Sequence, residues 1–156
     1  MRITVDLARF LEGPVMIILG SADLEGRPGI GRAVGARVFA AQRRLDLMVA
    51  GWQWPETLDH VRATGRLAAT FSRPSDYETY QLKGRASLRK ADQDDLRLAE
   101  RYRTDVERVL AEQRLSPDVA AHWLIVRDLA VVRLAVEEVY VQTPGPGAGL
   151  AVKAPV

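Results

Sequence analysis

The spacing of apolar positions changes period several times along the chain, and each change marks an element. Val5, Leu7, Ala8, Phe10 and Leu11 recur at helical spacing behind Thr4, which can cap the first turn. Gly13-Pro14 then ends that helix. Val15–Ala22 is a nearly unbroken apolar run, the pattern of a strand buried on both faces. Asp23-Leu24-Glu25-Gly26 has the residue types of a hairpin turn. A long second strand follows, from about Pro28 to Ala41, with Val34, Val38 and Ala40 on one face and Arg37, Phe39 and Ala41 on the other. A strand of that length bends or serves two halves of a barrel, and Gly29, Gly31 and Gly35 permit the bend.

After the turn Gln42-Arg43-Arg44 comes strand Leu45–Ala50, broken by Gly51-Trp52-Gln53-Trp54. Pro55 suits the first position of a helix over Pro55–Thr64, closed by Gly65. Strands are predicted over Leu67–Phe71 and Tyr77–Leu88, with the loop Arg73-Pro74-Ser75-Asp76 near the start of the second. Asp92 opens the longest helix, to about Gln113, with Leu96, Ala99, Tyr102, Val106, Val109 and Leu110 on its apolar face. The charges on its other face read as a solvated surface. Ser116-Pro117 starts a short helix to about Trp123. In the last strand, Ala130–Gln142, the apolar phase slips at Glu137-Glu138, which requires a bulge or a crossing between faces.

The order α-β-β-β-α-β-β-α-α-β predicts a mainly β fold with flanking helices (α+β), a small antiparallel barrel of about six strands. The length of 156 residues fits one domain, placed at 1–143, followed by a Gly/Pro-rich tail over 144–156. That tail cannot be a regular element. It reads as a mobile tail, an arm onto a partner subunit, or a phosphate-binding glycine loop without a P-loop's flanking pattern.

Composition narrows the function. There is no cysteine, so disulfide and thiolate chemistry are excluded, and a cytoplasmic setting is expected. A net charge of +2, from 22 basic and 20 acidic residues, shows no concentrated basic stripe, so no nucleic-acid partner is expected. No apolar run reaches the ~20 residues of a membrane span. The two histidines, His60 and His122, lie far apart and read as structural, with His60 a possible pocket residue. No nucleophile–base pair or carboxylate pair stands out as catalytic.

Gly26–Arg37 carries the candidate binding chemistry. Glycines let another group approach the backbone closely, and arginines beside them supply charged donors for phosphate or carboxylate. The stretch reads either as the bed of an anionic ligand or as an exposed charged ribbon.

Three features together resemble the pyridoxamine 5′-phosphate oxidase-like superfamily of FMN-binding split β-barrels. They are the strand and turn V-M-I-I-L-G-S-A-D-L-E-G-R-P, the strand–helix–strand unit from L-D-L-M-V-A to T-L-D-H-V-R-A-T-G-R-L-A-A-T-F, and Q-L-K-G-R-A. The resemblance runs from about Leu11 to Val141. It implies a homodimer with FMN between the barrels, and a flavin-dependent oxidoreductase acting on a small molecule. The alternative it leaves is a flavin-, haem- or deazaflavin-binding protein without catalysis, or a ligand-free dimer. R-A-V-G-A-R resembles the family's basic-x4-basic strand, which implies Arg32, Val34 and Arg37 at the cofactor, the two arginines on its phosphate. An odd separation of five sets them on opposite faces unless Gly35 bulges. The family's basic cluster at the next helix start is replaced by Pro55-Glu56-Thr57, which leaves Thr57 as a phosphate ligand there. Trp52 is implied beside the flavin ring or ribityl chain, or at the dimer interface. Thr79 and Gln81 are implied at the cofactor rim.

Overall fold

The computed structural model describes residues 3–152. Thr4 accepts a hydrogen bond from the Leu7 N–H and starts helix α1, Val5–Leu11. The strands are β1 Met16–Ala22, β2 Pro28–Ala33, β3 Ala36–Phe39, β4 Arg44–Ala50, β5 Arg66–Ser72, β6 Thr79–Lys90 and β7 Leu129–Val141. The other helices are α2 Pro55–Thr64, α3 Gln93–Glu112 and α4 Pro117–Ala121. α2 has the bounds its sequence predicts, with Pro55 at its first turn and Gly65 left-handed at its end.

All seven strands form one antiparallel sheet in the order β2-β1-β5-β6-β7-β4-β3. Its two edges are consecutive pieces of the chain. The predicted single strand over Pro28–Ala41 is divided at Gly35, whose φ is 134°, and this makes seven strands rather than six. A side chain at Gly35 would meet Leu98 Cδ2 at 2.5 Å, so α3 packs directly on the break. Around it, the Val34 N–H bonds to Met48 O at 2.7 Å and the Met48 N–H to Gly35 O at 3.0 Å. These bonds join the end of β2 to β4 and close the sheet into a barrel.

The phase change in β7 is a bulge. Lys83 pairs with Glu138 and Gly84 with Val136, so Glu137 has no partner across the ladder. A Cβ on Gly84 would lie 1.9 Å from the Ala135 carbonyl oxygen, so only glycine fits opposite the bulge. The slip keeps Val132, Leu134, Val136 and, beyond it, Val139 in the core.

Some boundaries differ from the sequence expectation. β1 buries Ile17 and Leu19 inside the barrel, whereas Ile18 points to the outer face and is 37% exposed. β6 begins at Thr79, leaving Tyr77 in the preceding loop, and α4 stops at Ala121. α3 buries Ala99, Tyr102, Val106 and Leu110 but leaves Leu96 at its margin. The tail returns along β7: the Val141 N–H bonds to Leu150 O at 2.9 Å and the Val152 N–H to Val139 O at 2.8 Å. Among the described residues no helix is long and apolar enough to cross a membrane.

α3 is pinned at its start by charge. Asp92 and Asp95 form a capping box, and Asp95 is fully buried. Arg89 of β6 donates to Asp95 at 2.6 and 2.9 Å and to Asp46 of β4 at 2.9 and 3.1 Å. The hydrogen bonds from Arg89 hold the Asp95 carboxyl below the usual aspartate range, outweighing the opposing effect of burial. Arg44 and Arg133 lie 3.5 and 3.3 Å from Asp46, and Arg37 lies 3.6 Å from Asp95. Not all of the charge near α3 is therefore a solvated face.

Candidate functional site

The strand register lays out the outer face of the barrel. One row across the sheet reads Ile30, Gly20, Ala68, Lys83, Glu138. The next reads Arg32, Ile18, Thr70, Gln81, Tyr140. A third continues through Met16, Ser72 and Thr79. Side chains in these rows point away from the core because the strand period is two. Two hollows lie on this face, one on each side of the Ile18–Thr70–Gln81 row.

The first is a trough of about 440 Å³ floored by Gly20, Gly29, Ala68 and Gly84 and flanked by Arg66 and Lys83. Ser21 also lines it. The Ser21 hydroxyl is 2.9 Å from His60 Nδ1, so His60 is a buried partner beneath the trough rather than a wall of it.

The second is a groove, also of about 440 Å³, between the sheet, the β5–β6 loop and the chain around the end of α3. Its walls are mostly apolar: Met16, Ile18, Pro74, Leu110 and Leu115, with the rings of Tyr77 and Trp123. Arg32 is its cation. The guanidinium lies over the Trp123 ring, 4.8 Å from the centroid. Among the described residues no carboxylate lies within 4.0 Å of it. A cation stacked on an aromatic ring in an apolar groove is poorly hydrated and has donors to spare, which suits an anionic group on a flat ligand. The groove's other polar side chains are Ser72, whose hydroxyl is bonded to Thr79 Oγ1 at 2.8 Å, and Gln113. It holds no acid–base pair, so any redox chemistry here would come from a bound cofactor.

The residues implied by the family resemblance are dispersed. Arg32 stands in the groove. Gln81 lies in its row on the outer face and donates to Thr70 Oγ1 at 3.0 Å. Thr79 is buried in the third row, its hydroxyl also bonded to Tyr77 O. Arg37 faces α3 like Arg32, but in a separate cleft beside Leu98, Arg101 and Tyr102, and paired with Asp95. Val34 is in the core. Thr57 is buried against Gly31, where an added Cβ would come within 2.3 Å of Thr57 Oγ1. Trp52 is half exposed on the turn before α2, beneath the Arg127 guanidinium at 4.8 Å, and lines neither hollow. The groove therefore combines mostly apolar walls with a single cation, Arg32. It does not assemble the arginine pair with the helix start. Tyr77, Trp123 and Leu115 were absent from the sequence expectation. Trp123, beside a short helix, gave no local sign of meeting Arg32.

No protein-family model matches the chain, and no curated protein matches it. Solved structures do. An F420 reductase aligns at 11% identity with a TM-score of 0.56, over 83% of this chain and 92% of the other. A candidate pyridoxamine 5′-phosphate oxidase from Lactobacillus delbrueckii aligns at 14% identity with a TM-score of 0.56, over 90% and 94%. HutZ, the haem storage protein from Vibrio cholerae, aligns at 14% identity with a TM-score of 0.53, over 90% and 95%. The chain has the split β-barrel fold of the pyridoxamine 5′-phosphate oxidase-like proteins.

Proposed function

We propose that this chain is a flavin-binding split-barrel protein, with FMN in the Arg32 groove and oxidoreduction of a small molecule as its activity. The observation that carries the reading is Arg32, an arginine with no carboxylate partner among the described residues, stacked on Trp123 among apolar side chains. The fold's relatives include an F420 reductase and a candidate pyridoxamine 5′-phosphate oxidase, which supports a flavin or deazaflavin as ligand. Bound FMN supplies the electron and hydride transfer. The protein's part is to hold the anionic end at Arg32, shelter the ring between apolar walls and exclude water. Exposed Ile18, Ile30, Tyr77 and Leu115 lie on or beside this face and support a homodimer that covers it.

A second reading, ligand binding without catalysis, has its own support. Thr57 is packed away and Glu56 stands at the start of α2, so half of the family's phosphate clamp is missing. A haem storage protein shares the fold. FMN titration of the purified protein separates the readings. Saturable quenching of flavin fluorescence, with reduction of the bound flavin by a nicotinamide donor, supports the first. Binding without turnover supports the second, and a colourless protein that takes up no FMN contradicts the first. Arg32→Ala should weaken FMN binding by about 1.5–3 kcal/mol, the scale of a charged hydrogen bond.

A further inference from the structure

Tyr77 occupies a backbone position that suits it poorly. Its φ is 60°, in the left-handed region, which a bulky side chain rarely adopts and where glycine or asparagine is the usual residue. The β5–β6 loop imposes this conformation. The Tyr77 N–H bonds to Arg73 O and the Arg73 N–H to Glu78 O, both at 2.9 Å. The Asp76 carboxylate accepts three bonds from the Arg73 guanidinium, at 2.8, 2.9 and 3.1 Å, and one from the Glu78 N–H at 3.1 Å. Within a single chain, packing gives the ring little in return, since Tyr77 is 67% exposed. Strain of this kind persists where the surroundings over-determine it, and it concentrates at ligand clamps. Other non-glycine residues with positive φ, Arg43, Arg114 and Asp128, line neither hollow, whereas Tyr77 lines the groove that holds Arg32 and Trp123.

We propose that Tyr77 is an aromatic clamp of the groove, stacking on a fused, flat ring whose phosphate, carboxylate or sulfonate is bound by Arg32. This rests on the reading that the groove takes a flavin, and it adds a selection rule: flat conjugated anions are bound and aliphatic anions of equal charge are not. It also sets ligand binding against stability at one residue. Tyr77→Gly removes the stacking face and relieves the backbone, so binding falls while the fold is retained or gains. Loss of one aromatic stack corresponds to about tenfold in affinity. Relief of the left-handed strain, partly offset by glycine's larger unfolded-state entropy, leaves Tm unchanged or raised by up to about 4 °C.

The test uses the full chain, its Tyr77→Gly, Tyr77→Phe and Arg32→Ala variants, and two probes, FMN and 8-anilinonaphthalene-1-sulfonate, read by fluorescence titration beside thermal melts and light scattering. The clamp predicts about tenfold weaker binding in Tyr77→Gly, wild-type affinity within about twofold in Tyr77→Phe, weakening in Arg32→Ala, and no fall in the Tm of Tyr77→Gly. Binding of the naphthalene sulfonate but not FMN, with this variant pattern, contradicts the flavin reading and keeps the clamp. FMN binding that Tyr77→Gly leaves unchanged overturns the clamp and keeps the flavin reading. A fall in Tm, a loss of dimer with unchanged affinity, or no binding of either probe to the wild type overturns the clamp.

Discussion

Two arginines that lie on strands against opposite ends of α3 have opposite surroundings. Arg89 binds Asp46 and Asp95, both buried, and the hydrogen bonds it donates to those carboxylates raise its already high pKa further. Arg32 has a tryptophan ring beneath it and apolar side chains around it. The same side chain closes a structural network in one place and leaves donors for a ligand in the other. What separates the roles is the partner. A guanidinium between two buried carboxylates holds elements together, and one without a carboxylate in a groove is open to an incoming anion. The regions are also linked. The Arg89 network fixes the start of α3, and the chain around the end of α3, at Leu110, Gln113 and Leu115, walls the Arg32 groove.

The sharpest way to break this contrast is Arg89→Ala. It leaves Asp46 and Asp95 buried without their main partner, and unpaired buried charges cost about 3–5 kcal/mol. Arg44, Arg133 and Arg37 remain beside them, so the lower end is expected, read as a fall in the denaturation midpoint. The pH dependence of the wild type follows from Asp95. Its folded pKa is depressed, so its stabilisation is complete above the unfolded value of 3.8 and is lost as pH falls through the lower folded value. Urea melts at pH 7, 5 and 3 should show the wild type weakening mainly in the last interval. In Arg89→Ala the largest cause of the lowered Asp95 pKa is gone, so the deficit relative to the wild type should shrink as pH falls towards 3.

Arg32→Ala should do the reverse, leaving stability within about 0.5 kcal/mol while weakening FMN. Arg37→Ala is the smallest change. Its ion pair with Asp95 is long, at 3.6 Å, and partly exposed, so about 0.5 kcal/mol of stability is at stake and FMN affinity should not move.

Much of the fold was legible because its signals are local. Thr4 caps α1, Pro55 and Gly65 bracket α2, Gly35 bends the strand, and the apolar slip at Glu137 is a bulge. The site was half legible. Arg32 stood out by its glycine neighbours, but strand parity could not show where Arg37 would go, since that depends on Asp95, far along the chain. The buried network joins residues up to 87 apart in sequence, and no periodicity carries such a pairing. Thr57 read as an open helix start because the sequence does not show that α2 lies against the bare backbone of Gly31. Tyr77 read as the start of a strand, and its left-handed conformation comes from the loop's own hydrogen bonds.

The most direct test of the central claim is an FMN titration of the wild type, Arg32→Ala and Arg37→Ala in parallel. Saturable binding by the wild type and Arg37→Ala, with at least about tenfold loss in Arg32→Ala, is the result expected for a groove anchored by the Arg32 guanidinium. No binding by the wild type, or an equal loss in both variants, would contradict it.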